Sequence, residues 1–441
     1  MMIKQSFLVF VLCCLYTNSN AQIHKRFSFG ATQNIQGYIN VLPTNLYNNE
    51  LGYGFESLES ITSVHRGGQK LGSDFITGNK PFYFSVNLPE GNYQVTLLMG
   101  DSKGTSTSTI RVECRRLMIE KVSTAFGEHK KLAFTVHIRD SVNHLTGLPV
   151  KLKPREKPYF HWDNKLTFEL NNSSAKIAAL EISSDTKVPT IFLAGNSTVV
   201  DQAEEPWASW GQMIPNFFKP GTVAVANYAE SGETLKAFEQ EGRLSKLWTL
   251  SKPGDYLFIE FAHNDQKPGA NHLDPFTSYQ QTLTNWVEQA KQKGVQPVFV
   301  TSTNRRTFDS TGHIYNSLGD YPEAMRQLAN KLNVPLIDLN QMSKLFYEAL
   351  GPTESTKAFV YFKANTYPNH TTDVKDDTHF NTYGAYVLAK CVAKGIQEKI
   401  PSLAKHLNNN FKKFNPAQPE NPSTFHLPEG LYTGGLKPDG N

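Results

Sequence analysis

Cysteine is scarce in this chain of 441 residues. There are four, and two of them, Cys13 and Cys14, fall among the first 21 positions, which leaves Cys114 and Cys391. Two thiols cannot form a disulfide framework, and these two fall in different expected domains, so no bridge is expected and stability must come from packed cores. Long apolar runs are also missing: the run Phe7–Leu15 is too short to span a bilayer. No charge sign dominates, since 44 Lys and Arg face 40 Asp and Glu. With no basic stripe either, nucleic acid and anionic membrane surfaces are excluded as main partners. No Cys/His cluster has metal-ligand spacing and no Gly-x-x-x-x-Gly-Lys loop occurs, so neither a metal nor another cofactor is expected. There is no internal repeat.

What is present begins with a leader. Lys4 precedes the apolar run, and Ser19-Asn20-Ala21 offers small residues for cleavage. Residues 1–21 therefore read as a signal peptide, and the protein is expected to be exported, to a periplasmic or extracellular space. Leu12 before Cys13 fits a lipoprotein signal poorly. Removing Lys4 with the leader leaves 43 basic residues against 40 acidic ones, a net charge near +3.

Residues 22–186 read as all-β. Phe82–Leu88 and Asn92–Met99 alternate in the strand period on either side of the turn Pro89-Glu90-Gly91, and shorter runs follow at 108–112, 132–138, 166–170 and 177–182. Short strands with frequent turns predict a jelly-roll sandwich. After a linker at Asp185–Pro189 the pattern changes to alternating strand and helix. Strands are predicted at 190–194, 223–228, 256–261, 297–301 and 335–337. An amphipathic helix carries Tyr279, Leu283, Trp286, Val287 and Ala290, and a last helix covers 382–399. This predicts an α/β domain over 187–407 with a flavodoxin-like, doubly wound, parallel five-stranded sheet, followed by a tail at 408–441.

Such sheets carry their chemistry at the carboxyl ends of strands. Ser197 follows the first predicted strand, where a helix can start, Gly232 follows the second and Asn264 the third. Asp376 and His379 are read in a turn before the last helix. Together they form a serine-esterase set. Ser197 is the nucleophile, His379 its base and Asp376 the group orienting His379. The amides of Ser197 and Gly232, with the Asn264 side chain, are expected to bind the oxyanion. Asp377 is the alternative orienter; spacing favours Asp376. Separately, each residue has a plainer reading: Ser197 or Asp376 as a helix cap, Gly232 as a loop glycine, Asn264 as a turn residue. The ordered set outweighs them. Arg305 and Arg306 follow the fourth strand, either to grip a substrate carboxylate or to form internal salt bridges, and His263 is a further candidate for substrate contact.

These blocks resemble the SGNH (GDSL-like) hydrolases, whose four named residues correspond to Ser197, Gly232, Asn264 and His379. Within that superfamily the runs 192–199, 261–265, 304–308 and 376–381 resemble the rhamnogalacturonan acetylesterases. Phe27-Ser28-Phe29-Gly30 and Gly52-Tyr53-Gly54-Phe55-Glu56 resemble the galactose-binding-like sandwich fused to such enzymes. Asn196 stands where the family has Asp, and Ala262 where it has Gly. The resemblance implies removal of acetyl groups from the rhamnogalacturonan of pectin, with an acetylated polysaccharide or oligosaccharide as partner. Spacing alone gives acyl ester hydrolysis. The alternatives are an SGNH esterase acting on xylan, another acetylated glycan or lipid esters, and a glycan-binding protein on a dead hydrolase fold. Oligomeric state is not legible. No nucleophile–base pair occurs in 22–186, so a chain starting near Lys187, if it folds, is expected to cleave a small ester.

Overall fold

In a computed structural model of the chain, residues 22–30, 34–172, 174–411, 413–431 and 438 are described. The expected leader, 1–21, lies outside them.

The first half is a two-sheet sandwich. In chain order its strands are β1 (His24–Phe29), β2 (Ile39–Val41), β3 (Tyr53–Phe55), β4 (Ile61–His65), β5 (Asp74–Gly78), β6 (Phe82–Asn87), β7 (Gly91–Gly100), β8 (Ser106–Val112), β9 (Arg116–Thr124), β10 (His129–Ile138), β11 (Lys165–Asn171) and β12 (Lys176–Ser184). One sheet runs β10-β7-β12-β1-β2, with β5 paired to β12 and β4 to β5; the other runs β3-β6-β11-β8-β9. Pairing is antiparallel apart from β1 with β2. Alternation along the strands turns Phe27, Phe29, Phe84, Val95 and Leu97 into a common core, where Phe29 and Phe84 meet edge to face at 5.0 Å.

The second half is built on five parallel strands, β13 (Thr190–Gly195), β14 (Ala224–Asn227), β15 (Tyr256–Glu260), β16 (Gln296–Val300) and β17 (Leu336–Ile337). Their order is β14-β13-β15-β16-β17, the flavodoxin-like arrangement. The strands are apolar on both faces because helices cover both sides. Ile191, Leu193, Phe258 and Val298 face the layer that contains the helix Thr382–Lys399. Phe192, Ala194, Leu257 and Phe299 face the layer that contains Gln280–Gln292 and Tyr321–Leu332. The five residues expected on the amphipathic face are all buried. A separate antiparallel hairpin, β18 (Phe359–Phe362) with β19 (Val374–Phe380), precedes the last helix. Cys114 and Cys391 are free and buried in different parts of the chain.

The two halves share a charged, buried junction. Arg116 reaches from the sandwich to Asp201 at 2.7 Å, and Arg115 pairs with Glu205. From the other side, Arg243 meets Glu156 at 2.6 Å and Lys246 meets Glu90 at 2.7 Å and Asp140 at 3.0 Å. Val150 and Trp162, in the connection between β10 and β11, enter the core under β13 and β14. The tail also spans both halves: Tyr383 Oη donates to the Glu420 carbonyl at 2.6 Å and Asn171 Nδ2 to the Glu429 carbonyl at 2.7 Å.

This junction bears on whether a chain from Lys187 onward folds. A 187–441 fragment loses these partners of Asp201, Glu205 and Lys246 and uncovers the apolar surface that Val150 and Trp162 bury, against a total stability of roughly 5–15 kcal/mol. It is expected to lack a cooperative thermal transition by circular dichroism. A fragment that melts cooperatively near the full-length temperature would contradict this.

Candidate active site

β13 ends at Gly195 and the chain turns at once. Asn196 Oδ1 accepts from the Thr198 amide at 3.1 Å, with the Thr198 hydroxyl 3.0 Å away, while the Asn196 carbonyl accepts from Val199 and Val200. This Asx-type turn uses only the side-chain oxygen, which an amide supplies as well as a carboxylate does. Asn at 196 is therefore compatible with the turn. No helix starts here, contrary to the sequence expectation; the next one is Trp210–Met213. The turn rests on Glu260 at the end of β15. Its carboxyl accepts from the Thr198 hydroxyl at 2.8 Å and from Trp210 Nε1 at 2.5 Å. Burial pushes the Glu260 carboxyl up to about 7, against the pull of those hydrogen bonds. Sequence reasoning passed over Glu260, although an acid inside the apolar run Tyr256–Phe261 is itself a signal of a buried partner.

His379 and Asp376 lie on β19, not in a turn. Val360 pairs with Asp376 and Phe359 with Phe380, so Asp377, Thr378 and His379 bulge out between consecutive pairs. The Asp376 carboxylate closes the bulge, accepting at Oδ1 from the amides of Thr378 at 2.9 Å and His379 at 3.0 Å. Its other oxygen lies 2.8 Å from His379 Nδ1, and His379 Nε2 lies 2.9 Å from Ser197 Oγ. Burial alone would raise the Asp376 carboxyl; the imidazole and the two amides outweigh it and hold it at about 2. Asp376 is thus a fixed anion at neutral pH. All three residues are buried, none more than 5% exposed.

Asp377 is spent elsewhere. Its Oδ1 accepts from Arg306 Nη1 at 2.8 Å and from the Tyr361 hydroxyl at 2.5 Å. Arg306 also donates to the Pro352 carbonyl and the Ser355 hydroxyl. Of the two readings of Arg306, the geometry is that of the internal salt bridge and not of substrate grip. Arg305 differs. It lies near the His263 carbonyl and the Ser317 hydroxyl, both at 3.4 Å; burial lowers its pKa and the Asp376 charge opposes that. His263 is buried on the same side. Burial, reinforced by Arg305 and His379, drives its pKa well below the usual value, so its ring is neutral.

Gly232 and Asn264 come together on neighbouring loops. Asn264 Nδ2 donates to the Glu233 carbonyl at 3.0 Å, leaving its second N–H for another acceptor. Gly232 has φ +81°, a left-handed conformation that favours glycine. Asp265 Oδ1 accepts from the Leu235 amide at 2.9 Å and ties the two loops. Ser197 follows β13 and Asn264 follows β15, so the candidate residues flank the point where strand order reverses. Among the described residues, Glu90, Asp140 and His144 approach one another closely enough to hold a metal, but Lys246 already supplies the cation there.

Comparison with known proteins agrees with this architecture. Residues 193–386 match the GDSL-like Lipase/Acylhydrolase family, and residues 25–129 match the galactose-binding domain-like family of β-agarase/YXIM esterase type. The rhamnogalacturonan acetylesterase RhgT of Bacillus subtilis is 47% identical over 219 residues, covering 49% of this chain and 93% of the relative. The uncharacterized esterase YxiM of the same organism is 26% identical over 385 residues, 85% of this chain and 91% of the relative. A crystal structure of the Bacillus subtilis YxiM protein, 23% identical, covers 85% of this chain and 98% of its own with a TM-score of 0.45. The chain is an SGNH-type esterase, and it belongs to the rhamnogalacturonan acetylesterase family of GDSL-like hydrolases, with a galactose-binding-like sandwich in front.

Proposed function

We propose that the protein is an exported carbohydrate esterase that removes O-acetyl groups from pectic rhamnogalacturonan through an acyl-enzyme. The observation that carries the chemistry is the relay Ser197–His379–Asp376, with contacts of 2.9 and 2.8 Å. His379 Nε2 accepts the Ser197 proton as Oγ attacks the acetyl carbonyl, and Asp376 keeps Nδ1 protonated and the ring aligned. The oxyanion is received by the amides of Ser197 and Gly232 and by Asn264 Nδ2. Protonation of the sugar oxygen by His379 releases the deacetylated glycan. Water activated by the same imidazole then frees acetate. Arg305 and His263 border the relay and are the candidates for sugar contact. Export rests on the leader of residues 1–21, and the choice of rhamnogalacturonan on the 47% identity to RhgT.

Acetate release from acetylated rhamnogalacturonan, acetylated xylan, a lipid ester and a small aryl acetate separates the possibilities. The highest kcat/KM is expected on rhamnogalacturonan. A preference for xylan or lipid ester overturns the substrate, and silence on all four overturns the chemistry.

A further inference from the structure

The connection between β10 and β11, residues 139–164, belongs by sequence to the sandwich yet reaches the loop around Gly232. We propose that Lys153, within it, is a positioning residue for the oxyanion donor at Gly232. The proposal rests on reading Gly232 as a donor. Lys153 Nζ donates to the Ser231 carbonyl oxygen at 2.5 Å and lies 2.6 Å from Glu233 Oε1. One ammonium thereby bridges the residues on either side of Gly232.

The first contact matters because of peptide geometry. The Ser231 C=O and the Gly232 N–H belong to one planar trans amide and point in opposite directions. Whatever fixes the carbonyl fixes the aim of the N–H. A glycine leaves that plane freer to rotate than any other residue would, so the aim has to come from outside. A cation on the carbonyl also polarises the amide and strengthens its N–H as a donor.

The anchorage is itself anchored. The Lys153 amide donates to Glu156 Oε2 at 2.8 Å, and the same oxygen accepts from Arg243 Nη2 at 2.6 Å. Glu230 Oε1 accepts from the Ser231 amide at 2.8 Å, with Arg155 at 3.6 Å. On the far side the Glu233 carbonyl takes the Asn264 amide at 3.0 Å. The loop is therefore gripped from both halves of the molecule, by Asn264 from one and by Lys153 from the other. The sandwich contributes to the aim of the active site, and not only to its support.

The test uses full-length protein carrying Lys153→Met or Lys153→Arg, with the exposed Lys157→Met on the same connection as control. Kinetics are read on a small aryl acetate, which does not depend on glycan contacts. Losing one oxyanion donor costs about 10²–10³ in kcat, and a misaimed one less. Lys153→Met is expected to lower kcat by about 10- to 100-fold at nearly unchanged KM, with a lower melting temperature because buried Glu233 loses its cation, so kcat is read well below that temperature. Lys153→Arg is expected to recover most of it, and Lys157→Met to match wild type. If the methionine variant does not fold, Lys153→Gln is read in its place: reduced kcat at constant KM supports the assignment and wild-type kcat overturns it. A folded Lys153→Met with wild-type kcat, alongside an impaired Asn264→Ala, removes Lys153 and leaves the oxyanion reading standing. Wild-type kcat in Asn264→Ala as well removes the oxyanion reading itself.

Discussion

Ser197→Ala is expected to cut turnover of any acetyl ester by about 10³-fold or more while leaving the protein folded. The Oγ contact is with His379 Nε2 at 2.9 Å. The turn around it is held by other atoms: Asn196 Oδ1, the Thr198 hydroxyl on Glu260, and Gln202 Nε2, which donates to the Ser197 carbonyl at 3.0 Å. Removing one hydroxyl breaks none of these. Some acceleration over water should remain, because oxyanion donors and substrate binding act without the nucleophile. The measurement is acetate release paired with a melting curve. A folded alanine variant with near wild-type turnover sinks the nucleophile assignment.

Asp376→Asn is expected to lose up to about 10⁴-fold in turnover, and Asp377→Asn to stay close to wild type. The two side chains are neighbours in sequence but not in function. An asparagine at 376 keeps an oxygen for the amides of Thr378 and His379, so the bulge survives. Its NH₂ then faces Nδ1, which favours the tautomer with the proton on Nε2, and such a ring cannot take the Ser197 proton. At 377 the change affects a contact with Arg306 at 2.8 Å whose carboxylate side chain is 44% exposed, and a pair that exposed is worth little. Equal losses in the two variants, or the reverse order, reassign the orienter.

The strands that carry the site were legible because they are short apolar runs ending in glycine or polar residues; β13 and β15 are the clearest. The helix Thr382–Lys399 was legible with its boundaries; its cap was not, since Asn381 holds that place, accepting from the Gly384 amide at 3.1 Å, and Asp376 does not. The triad spacing was legible and its setting was not. In Val374–Phe380 the polar run Lys375-Asp376-Asp377-Thr378 precedes His379, which hides a strand whose partner, Phe359–Phe362, is four residues long. Arg306 and Asp377 are 71 positions apart, so their mutual engagement left no local trace. Lys153 was invisible for the same reason. Nothing in a Lys-Pro-Arg-Glu stretch announces a carbonyl 78 positions away.

The charged junction has a consequence for how this gene can change. In each ion pair across it, one charge sits on either half: Arg116 with Asp201, Arg115 with Glu205, Arg243 with Glu156, Lys246 with Glu90. Fusing a sandwich to a hydrolase takes one recombination event. Once the pairs exist, each single replacement in the fused protein strands a buried partner, so the charges on the two halves must change together. A transplanted sandwich lacking Arg116, Glu90 and Glu156 would leave Asp201, Lys246 and Arg243 buried without these partners, however similar its strands.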